Sequence, residues 1–195
     1  RDVPAEKADG VDISAARGEY ESFQVAVTPT DGLSQVTFEW TALDGPATIP
    51  ADALRCRRIE HVNIERTEGP FGHKGLNPDP LTDQLPVDIP AGFNQGFWFT
   101  LQVPRDQQPG EYAGELTLNA ADAAVATVPI RLLVRDFEMP LRPSITVRSS
   151  FRYPLVLERE AGETEDILKR YYANIYAHGS RCAPGVRINL QVDGN

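Results

Sequence analysis

The residue types that most often carry catalysis are sparse and scattered in this sequence. Neighbouring carboxylates can divide the roles of base and acid, but the acidic pair of the C-terminal part, Glu165-Asp166, opens a predicted helix. The helix dipole explains carboxylates at that position. His61 and His73 have no partner at metal-ligand spacing, and His178 lies where a helix is predicted to end. We therefore predict no metal site and no cofactor.

The cysteines do not define a site either. Cys56 and Cys182 are too far apart in the sequence to form a metal-binding motif. Two unpaired thiols are the preferred interpretation, and a disulfide between them is the open alternative.

The composition is that of an acidic globular chain with enough apolar residues for a core. Of its 195 residues 41% are hydrophobic and 24% charged, and the net charge is −9. A surface of this sign repels a phosphate backbone, so we expect no nucleic-acid partner. We also expect no membrane span, because no apolar run is long enough. The sequence opens at Arg1 without a signal-peptide pattern, which we interpret as a processed or cut chain.

Residues 109–140 predict a hairpin that organises the rest of the chain. Apolar residues alternate on both strands, and a polar, alanine-rich reversal falls around Asn119–Ala123. Pro129 cannot donate to a ladder, so it predicts a bulge or an open sheet edge. One apolar face is predicted on the return strand: Ala126, Val128, Ile130, Leu132 and Val134.

Several strands are predicted ahead of this hairpin. Thr67–Gly92 is rich in Pro and Gly and is expected to be a long functional or interfacial loop. The whole pattern predicts an antiparallel, immunoglobulin-like β-sandwich over roughly residues 10–138. The predicted strands share period-two alternation and turn residues at their ends: one from Val11, then Tyr20–Thr28, Gln35–Trp40, Arg57–Glu65 and Asn94–Val103.

Beyond Pro143 the pattern changes to strand, helix, strand. We predict strands at Ile145–Val147 and Val186–Leu190, with a helix from Thr164 to Tyr176 between them. Such a βαβ unit cannot bury its sheet alone. We therefore divide the chain into a sandwich, residues 1–140, and the truncated start of a larger α/β domain, residues 141–195.

Five short segments carry a resemblance to a known family. They resemble the N-terminal domain of glycoside hydrolase family 123 and its uncharacterised relatives, in which a β-sandwich precedes a catalytic (β/α)8 barrel. The resemblance implies that residues 141–195 are the first strand, helix and second strand of that barrel. In chain order the segments are Ala16–Gln24, Pro78–Leu81, Asn94–Trp98, Pro109–Gly114 and Val134–Pro140.

The resemblance implies a chemistry that this chain lacks the residues to perform. Active members of the family release N-acetylgalactosamine by substrate-assisted catalysis with an adjacent Asp-Glu pair on a later barrel strand. This sequence contains no Asp-Glu dipeptide, so we expect it to be catalytically silent, and the activity of its parent stays open. The implied parent is a bacterial, secreted hexosaminidase, extracellular or periplasmic, and the implied partners are the rest of its own barrel and, through the full-length protein, carbohydrate.

The resemblance also suggests where a sugar could bind, because barrel active sites lie at the carboxyl ends of the strands. Ordinary strand ends are the alternative interpretation. The implied substrate-binding residues follow the first and second barrel strands: Phe151, Arg152, Tyr153 and Asp193. A second predicted site is an interdomain loop that docks on the barrel, with a carbohydrate-facing role as the alternative: Pro78, Asp79, Pro80 and Leu81.

Two functional hypotheses follow. In the first, the sandwich is a non-catalytic domain that packs on the barrel of a glycoside-hydrolase-like protein and supports it. In the second, it is an independent carbohydrate-binding or interaction module with no hydrolase role. Exposed, coplanar Trp40 and Trp98 would favour the module, since aromatic faces stack on sugars, although sandwich tryptophans are more often core.

Overall fold

The structure falls into two units that differ in secondary structure. A computed structural model of the chain describes residues 9–66, 73–141, 148–149, 153–177 and 181–182. Unit 1 covers residues 1–139 and is built of β-strands, and unit 2 covers residues 140–195 and contains the helices.

Unit 1 contains eleven described strands, most of them bounded by Gly, Pro or Asp. A single 3-10 turn, Ala51–Ala53, precedes the sixth strand. In chain order the strands are β1 Val11–Arg17, β2 Tyr20–Val27, β3 Leu33–Trp40, β4 Leu43–Asp44, β5 Thr48–Ile49, β6 Leu54–Ile64, β7 Gly75–Thr82, β8 Val87–Ile89, β9 Gln95–Gln102, β10 Gly110–Ala120 and β11 Ala123–Glu138.

These strands form a larger and a smaller sheet. The larger sheet has seven strands in the order β1-β11-β10-β3-β8, with β4 paired to β10 and β5 paired to β4. The smaller sheet has four strands in the order β2-β9-β6-β7. The unit is therefore mainly β, as the alternating sequence predicts.

Apolar side chains from both sheets share one core. Phe38 of the larger sheet meets Phe97 and Phe99 of the smaller sheet edge to face, with ring centroids 4.7 and 5.2 Å apart. Phe23 stacks on Phe99 at 5.0 Å. Aromatic pairs in these geometries add to the stabilisation that comes from apolar burial. The core therefore fixes how the two sheets face each other within this unit.

The predicted hairpin is confirmed. β10 and β11 pair antiparallel along their lengths, and the reversal lies at Ala121 and Asp122, inside the predicted turn. Both turn residues have positive φ, 46° and 64°, which suits a two-residue hairpin turn because its twist matches that of the strands. The buried face of β11 is shorter than predicted, since Ile130, Leu132 and Val134 are buried while Ala126 and Val128 are not.

Pro129 lies opposite Glu115 of β10. The register shift between β10 and β11 lies elsewhere, at Leu118 and Asn119. The described ladder between β1 and β11 starts with Val11 opposite Ile130, one residue past the proline. Of the two predicted positions for Pro129, the structure thus favours the open edge over the bulge.

The prediction of a purely antiparallel sandwich is wrong at one edge. β1 pairs with β11 in parallel, from Val11 opposite Ile130 to Arg17 opposite Glu138. Alternation within a strand shows which face is buried but carries no information about which distant strand becomes its neighbour. The first and last strands of unit 1 are therefore side by side.

The prediction of one long loop over Thr67–Gly92 is also wrong where the structure describes it. Residues 67–72 lie outside the described part, but β7 and β8 both form within this segment. β7 is an edge strand that pairs with β6. It carries Pro78 and Pro80, and edge strands are where a sheet accepts proline.

Unit 2 contains two helices and a short pair of strands. β12, Arg148–Ser149, pairs in parallel with β13, Arg181–Cys182, and α1, Tyr153–Arg159, and α2, Thr164–Ala177, lie between them in the chain. The helix predicted from Thr164 is confirmed, and α1 was not predicted. The strands predicted at Ile145–Val147 and Val186–Leu190 lie outside the described residues. Neither described helix is long and apolar enough to cross a membrane.

Candidate functional site

The predicted sugar-binding residues of unit 2 are mostly outside the described structure. Phe151, Arg152 and Asp193 all fall there. Tyr153 is described only through its backbone, as the first residue of α1. The prediction that these residues form part of a pocket therefore stays a prediction.

The predicted interdomain loop is a strand with a bulge. Ile59 lies opposite Leu81, and His61 lies opposite Pro78, so β7 has one residue more than β6 between these pairs. The bulge and the two prolines mark an edge that resists pairing with another strand. Two apolar side chains of β7 stay open to solvent, Leu76 at 65% and Leu81 at 40% exposure. An interdomain role for Pro78, Asp79, Pro80 and Leu81 stays a prediction.

The two tryptophans do not form one platform. Trp40 packs against the core, meets Phe99 edge to face at 6.1 Å and donates a hydrogen bond to the Ala51 carbonyl at 2.7 Å. Trp98 lies in the other sheet and donates to the Thr100 hydroxyl at 3.1 Å. It alternates with buried Phe97 and Phe99 along β9, so it lies on the opposite face of that sheet.

No group of three or more His, Cys, Asp or Glu that could hold a metal occurs in the described part of the chain. His61 instead packs its ring against Phe93 at 5.4 Å. Cys56 carries a free thiol on β6, and burial raises the pKa of that thiol to about 12. A thiol with so high a pKa is a poor nucleophile at neutral pH.

The end of unit 1 is held by a cluster that we call the exit junction: Gly18, Arg105, Glu138 and Met139. Arg105 forms an ion pair with the Glu138 carboxylate and donates to the Met139 carbonyl at 2.7 Å. The Met139 amide donates to the Arg17 carbonyl at 2.8 Å. Gly18 has φ +78°, and a Cβ there would lie 2.8 Å from Arg105 Nη1. The last residues of unit 1 are therefore anchored from two other loops.

The exit junction brings together two of the segments that the sequence singles out. Ala16–Gln24 contributes Gly18, and Val134–Pro140 contributes Glu138 and Met139. Arg105 belongs to neither segment, and no sequence pattern distinguishes it from other turn arginines. Within the first segment, the Ala16 amide donates to the Glu19 carboxylate at 2.7 Å, which closes the turn.

A second feature is a cleft on the solvent-facing side of the larger sheet, of about 690 Å³. Its lining comes from β1, β4, β10 and β11. We call it the outer cleft, and its polar side chains are those of Asp12, Ser14, Asp44, Glu111 and Arg131. Sequence reasoning missed it, because these residues come from four separate segments that only the sheet registers bring together.

Asp12 and Arg131 form the best-defined contact in the outer cleft. Arg131 Nη2 donates to Asp12 Oδ2 at 2.8 Å, and Nε donates to Oδ1. The hydrogen bond from Arg131 is the main cause that lowers the pKa of the Asp12 carboxyl below its ordinary value. The pair therefore stays ionised through the neutral range.

Comparison with known proteins identifies the family. The profile of the glycoside hydrolase 123 N-terminal domain matches residues 2–120. The chain belongs to this family. The resemblance found in the sequence segments is thereby confirmed, and the glycoside hydrolase 123 N-terminal domain accounts for most of unit 1.

A solved structure of a family 123 enzyme agrees with this family at the level of the fold. A family 123 glycoside hydrolase from Clostridium perfringens, described for glycolipid glycan hydrolysis, matches with TM-score 0.74 at 19% identity over 90% of this chain. The chain spans only 33% of that enzyme's length. A PapD-like domain of human CEP192 matches with TM-score 0.35 at 12% identity, over 70% of this chain and 94% of its own. No curated protein matches the sequence significantly.

Proposed function

We propose that unit 1 is the non-catalytic N-terminal domain of a larger glycoside hydrolase and that it packs on a catalytic barrel and supports it. The family match over residues 2–120 is the observation that carries this proposal. Unit 1 is then an immunoglobulin-like sandwich, and residues 141–195 are the opening strands and helix of a (β/α)8 barrel. The parallel pairing of β12 with β13, which have α1 and α2 between them in the chain, supports this assignment, because neighbouring strands of such a barrel run parallel with helical connections.

The substrate that we propose for the parent is a glycan with terminal N-acetylgalactosamine, hydrolysed with assistance from the acetamido group. The similar enzyme from Clostridium perfringens is described for glycolipid glycan hydrolysis, which supports a glycan substrate. The catalytic Asp-Glu pair would be contributed by the part of the parent outside this chain, since the chain has no such dipeptide. We further propose an extracellular or periplasmic location for the parent, where such a glycan would be met.

The exit junction supports a structural role for unit 1. Arg105 fixes the carbonyl of Met139, where the chain leaves the unit. The backbone position at the end of unit 1 is thereby fixed, which suits a domain with a structural rather than a catalytic role. The alternative of an independent sugar-binding module loses the Trp40–Trp98 stacking platform, because Trp40 packs against the core.

The test compares the parent protein with this chain. A parent that continues beyond Asn195 should hydrolyse a chromogenic N-acetylgalactosaminide, and the 195-residue chain alone should not. Removing residues 1–139 from the parent should reduce its thermal stability, because the barrel loses the surface that covers it. Turnover by the chain alone, or an unchanged melting temperature after the deletion, would contradict the proposal.

A further inference from the structure

The outer cleft is large enough to hold a small ligand. Its volume of about 690 Å³ lies within the roughly 300–1,000 Å³ that is typical of small-molecule sites. It lies on the face of the larger sheet that points away from the shared core. Of the five sequence segments that resemble the family, only Pro109–Gly114 contributes to the lining of this cleft, through the first residues of β10.

The sheet registers place its side chains in two neighbouring rows. In the first row Asp12 lies opposite Arg131, Arg131 opposite Ala113, and Ala113 opposite Asp44. Residues two positions along a strand share a face, so Ser14, Leu133 and Glu111 form the second row, also in register. The small side chain of Ala113 leaves space between the Arg131 guanidinium and the Asp44 carboxylate.

The chemistry of the cleft is split between its two sides. Asp44 and Glu111 supply carboxylate acceptors on one side, and Asp44 is further oriented by the Thr48 hydroxyl, which donates to it at 3.1 Å. Arg131 supplies donors on the other side, because its bonds to Asp12 use Nε and Nη2 and leave Nη1 outside the pair. Ala113 and Leu133 form an aliphatic floor between the two sides.

This arrangement disfavours anionic and apolar ligands and suits a hydroxyl-rich one. An anion would meet the carboxylates of Asp44 and Glu111, and the charge of Arg131 is already compensated by Asp12. An apolar ligand would leave these polar groups without partners, which costs free energy. A sugar ring offers hydroxyl donors to carboxylates, hydroxyl acceptors to a guanidinium, and C–H faces to an aliphatic floor.

We propose that the outer cleft is a saccharide-binding site that takes a neutral sugar across Arg131, Ala113 and Glu111. All of its lining residues belong to unit 1, and the proposal rests on the cleft alone. The aromatic residue in the lining of the cleft, Tyr112, is buried and cannot stack on a sugar, so affinity for a single sugar unit is expected to be weak, in the millimolar range.

The experiment is an NMR titration of the 195-residue chain with three sugars of one ring shape: galactose, galactosamine and galacturonate. We expect saturable amide shifts at residues of the two rows with galactose, and at least roughly tenfold weaker binding of galacturonate, as charged hydrogen-bonding partners discriminate by that much. Absence of saturable shifts with galactose would overturn the proposal. Much tighter binding of galactosamine than of galactose would also overturn it, because the cleft would then recognise positive charge.

Two variants test the location. Glu111→Ala removes an acceptor and Ala113→Leu fills the floor, and each should weaken galactose binding by about tenfold. Glu115→Ala is the matched control, since Glu115 is an exposed carboxylate on the same face of β10 but outside the cleft. Equal binding by Glu111→Ala and Glu115→Ala would overturn the proposal. The hydrolysis test of the parent protein depends on the barrel and a small chromogenic substrate. Failure of that test would therefore leave the galactose binding of the outer cleft unaffected.

Discussion

Arg105 donates a hydrogen bond from Nη2 to the backbone carbonyl of Met139 at 2.7 Å. Met139 is the last residue of unit 1, and Arg105 lies in the turn between β9 and β10, so two distant parts of the chain meet there. A side chain that holds a main-chain carbonyl fixes the direction of the backbone more directly than an ion pair between two side chains. The Arg105 guanidinium is therefore a central element of the exit junction, beside the hydrogen bond from the Met139 amide to the Arg17 carbonyl.

Replacing Arg105 should loosen the end of β11. We expect Arg105→Ala to lower the free energy of unfolding by about 1 kcal/mol, the usual value of one such hydrogen bond, and to speed proteolysis near Met139. Denaturant unfolding and limited proteolysis measure the two effects. Arg55→Ala is the control, because Arg55 is an exposed arginine of β6. Equal protease sensitivity of the two variants would contradict the role of Arg105.

Gly18 is predicted to be intolerant of a side chain for two separable reasons. Its φ is +78°, and a Cβ would lie 2.8 Å from Arg105 Nη1. Gly92 has a similar φ of +72° with nothing within 4 Å of its Cβ position. Both Gly→Ala variants should lose roughly 1 kcal/mol to backbone strain, and Gly18→Ala should lose more. In an Arg105→Ala background, Gly18→Ala and Gly92→Ala should lose the same stability in thermal melts. A larger loss for Gly18→Ala in that background would show that contact with Arg105 is not its cause.

Gly114 of β10 should be a position where one methyl group is costly. A Cβ there would lie 2.5 Å from Leu43 Cδ2 and 2.9 Å from the Ala42 carbonyl oxygen. Because backbone cannot move aside as a side-chain tip can, we expect Gly114→Ala to lose about 1–3 kcal/mol through overpacking. Gly32→Ala, whose nearest neighbour is at 3.6 Å, is the control in denaturant unfolding. Similar stability of the two variants would refute the predicted clash.

Cys56 should be protected from alkylation in the folded chain. Its pKa of about 12 reduces the thiolate fraction at neutral pH by roughly a thousandfold relative to the ordinary thiol. In a Cys182→Ser background, the rate with iodoacetamide should rise steeply when denaturant is added. Rapid reaction of the folded chain without denaturant would show that the thiol is accessible.

The same thiol gives a pH dependence of stability. In the unfolded chain it ionises near its model value of 9.0, whereas in the folded chain it ionises only near 12. Between these values the unfolded state has lost more protons, so stability falls as pH rises through this window and is unaffected below it. Cys56→Ala should remove this slope in denaturant unfolding, and a slope that is unchanged in Cys56→Ala would assign it to other groups.

The hairpin could be predicted from the sequence because its signals are local. Alternation along β10 and β11 and the polar reversal before Ala123 depend only on neighbours in the chain. β7 was missed for the opposite reason. The prolines and polar residues of β7 are typical of a loop. They can form a strand because β7 lies at the edge of the sheet and pairs with β6 on one side.

The outer cleft and the exit junction could not be predicted at all. Asp12 and Arg131 become partners because β1 pairs with β11, a choice that no pattern within either strand encodes. Arg105 likewise acquires its role only when the turn before β10 meets the end of β11. Both features depend on how segments that are far apart in the sequence align with each other. That alignment is set by the packing of the complete unit.

The parallel pairing of β1 with β11 also sets the direction in which the polypeptide passes through unit 1. Gly10 precedes the Val11 end of the shared ladder, and Met139 follows its Arg17 end. The seven residues of β1 span roughly 23 Å at about 3.3 Å per residue. An antiparallel pair would return the backbone to its starting side, whereas here the chain enters unit 1 at one end of the shared ladder and leaves at the other. A fluorophore or affinity tag joined ahead of Gly10 would therefore stand a full strand length away from the point where Met139 leaves the sheet.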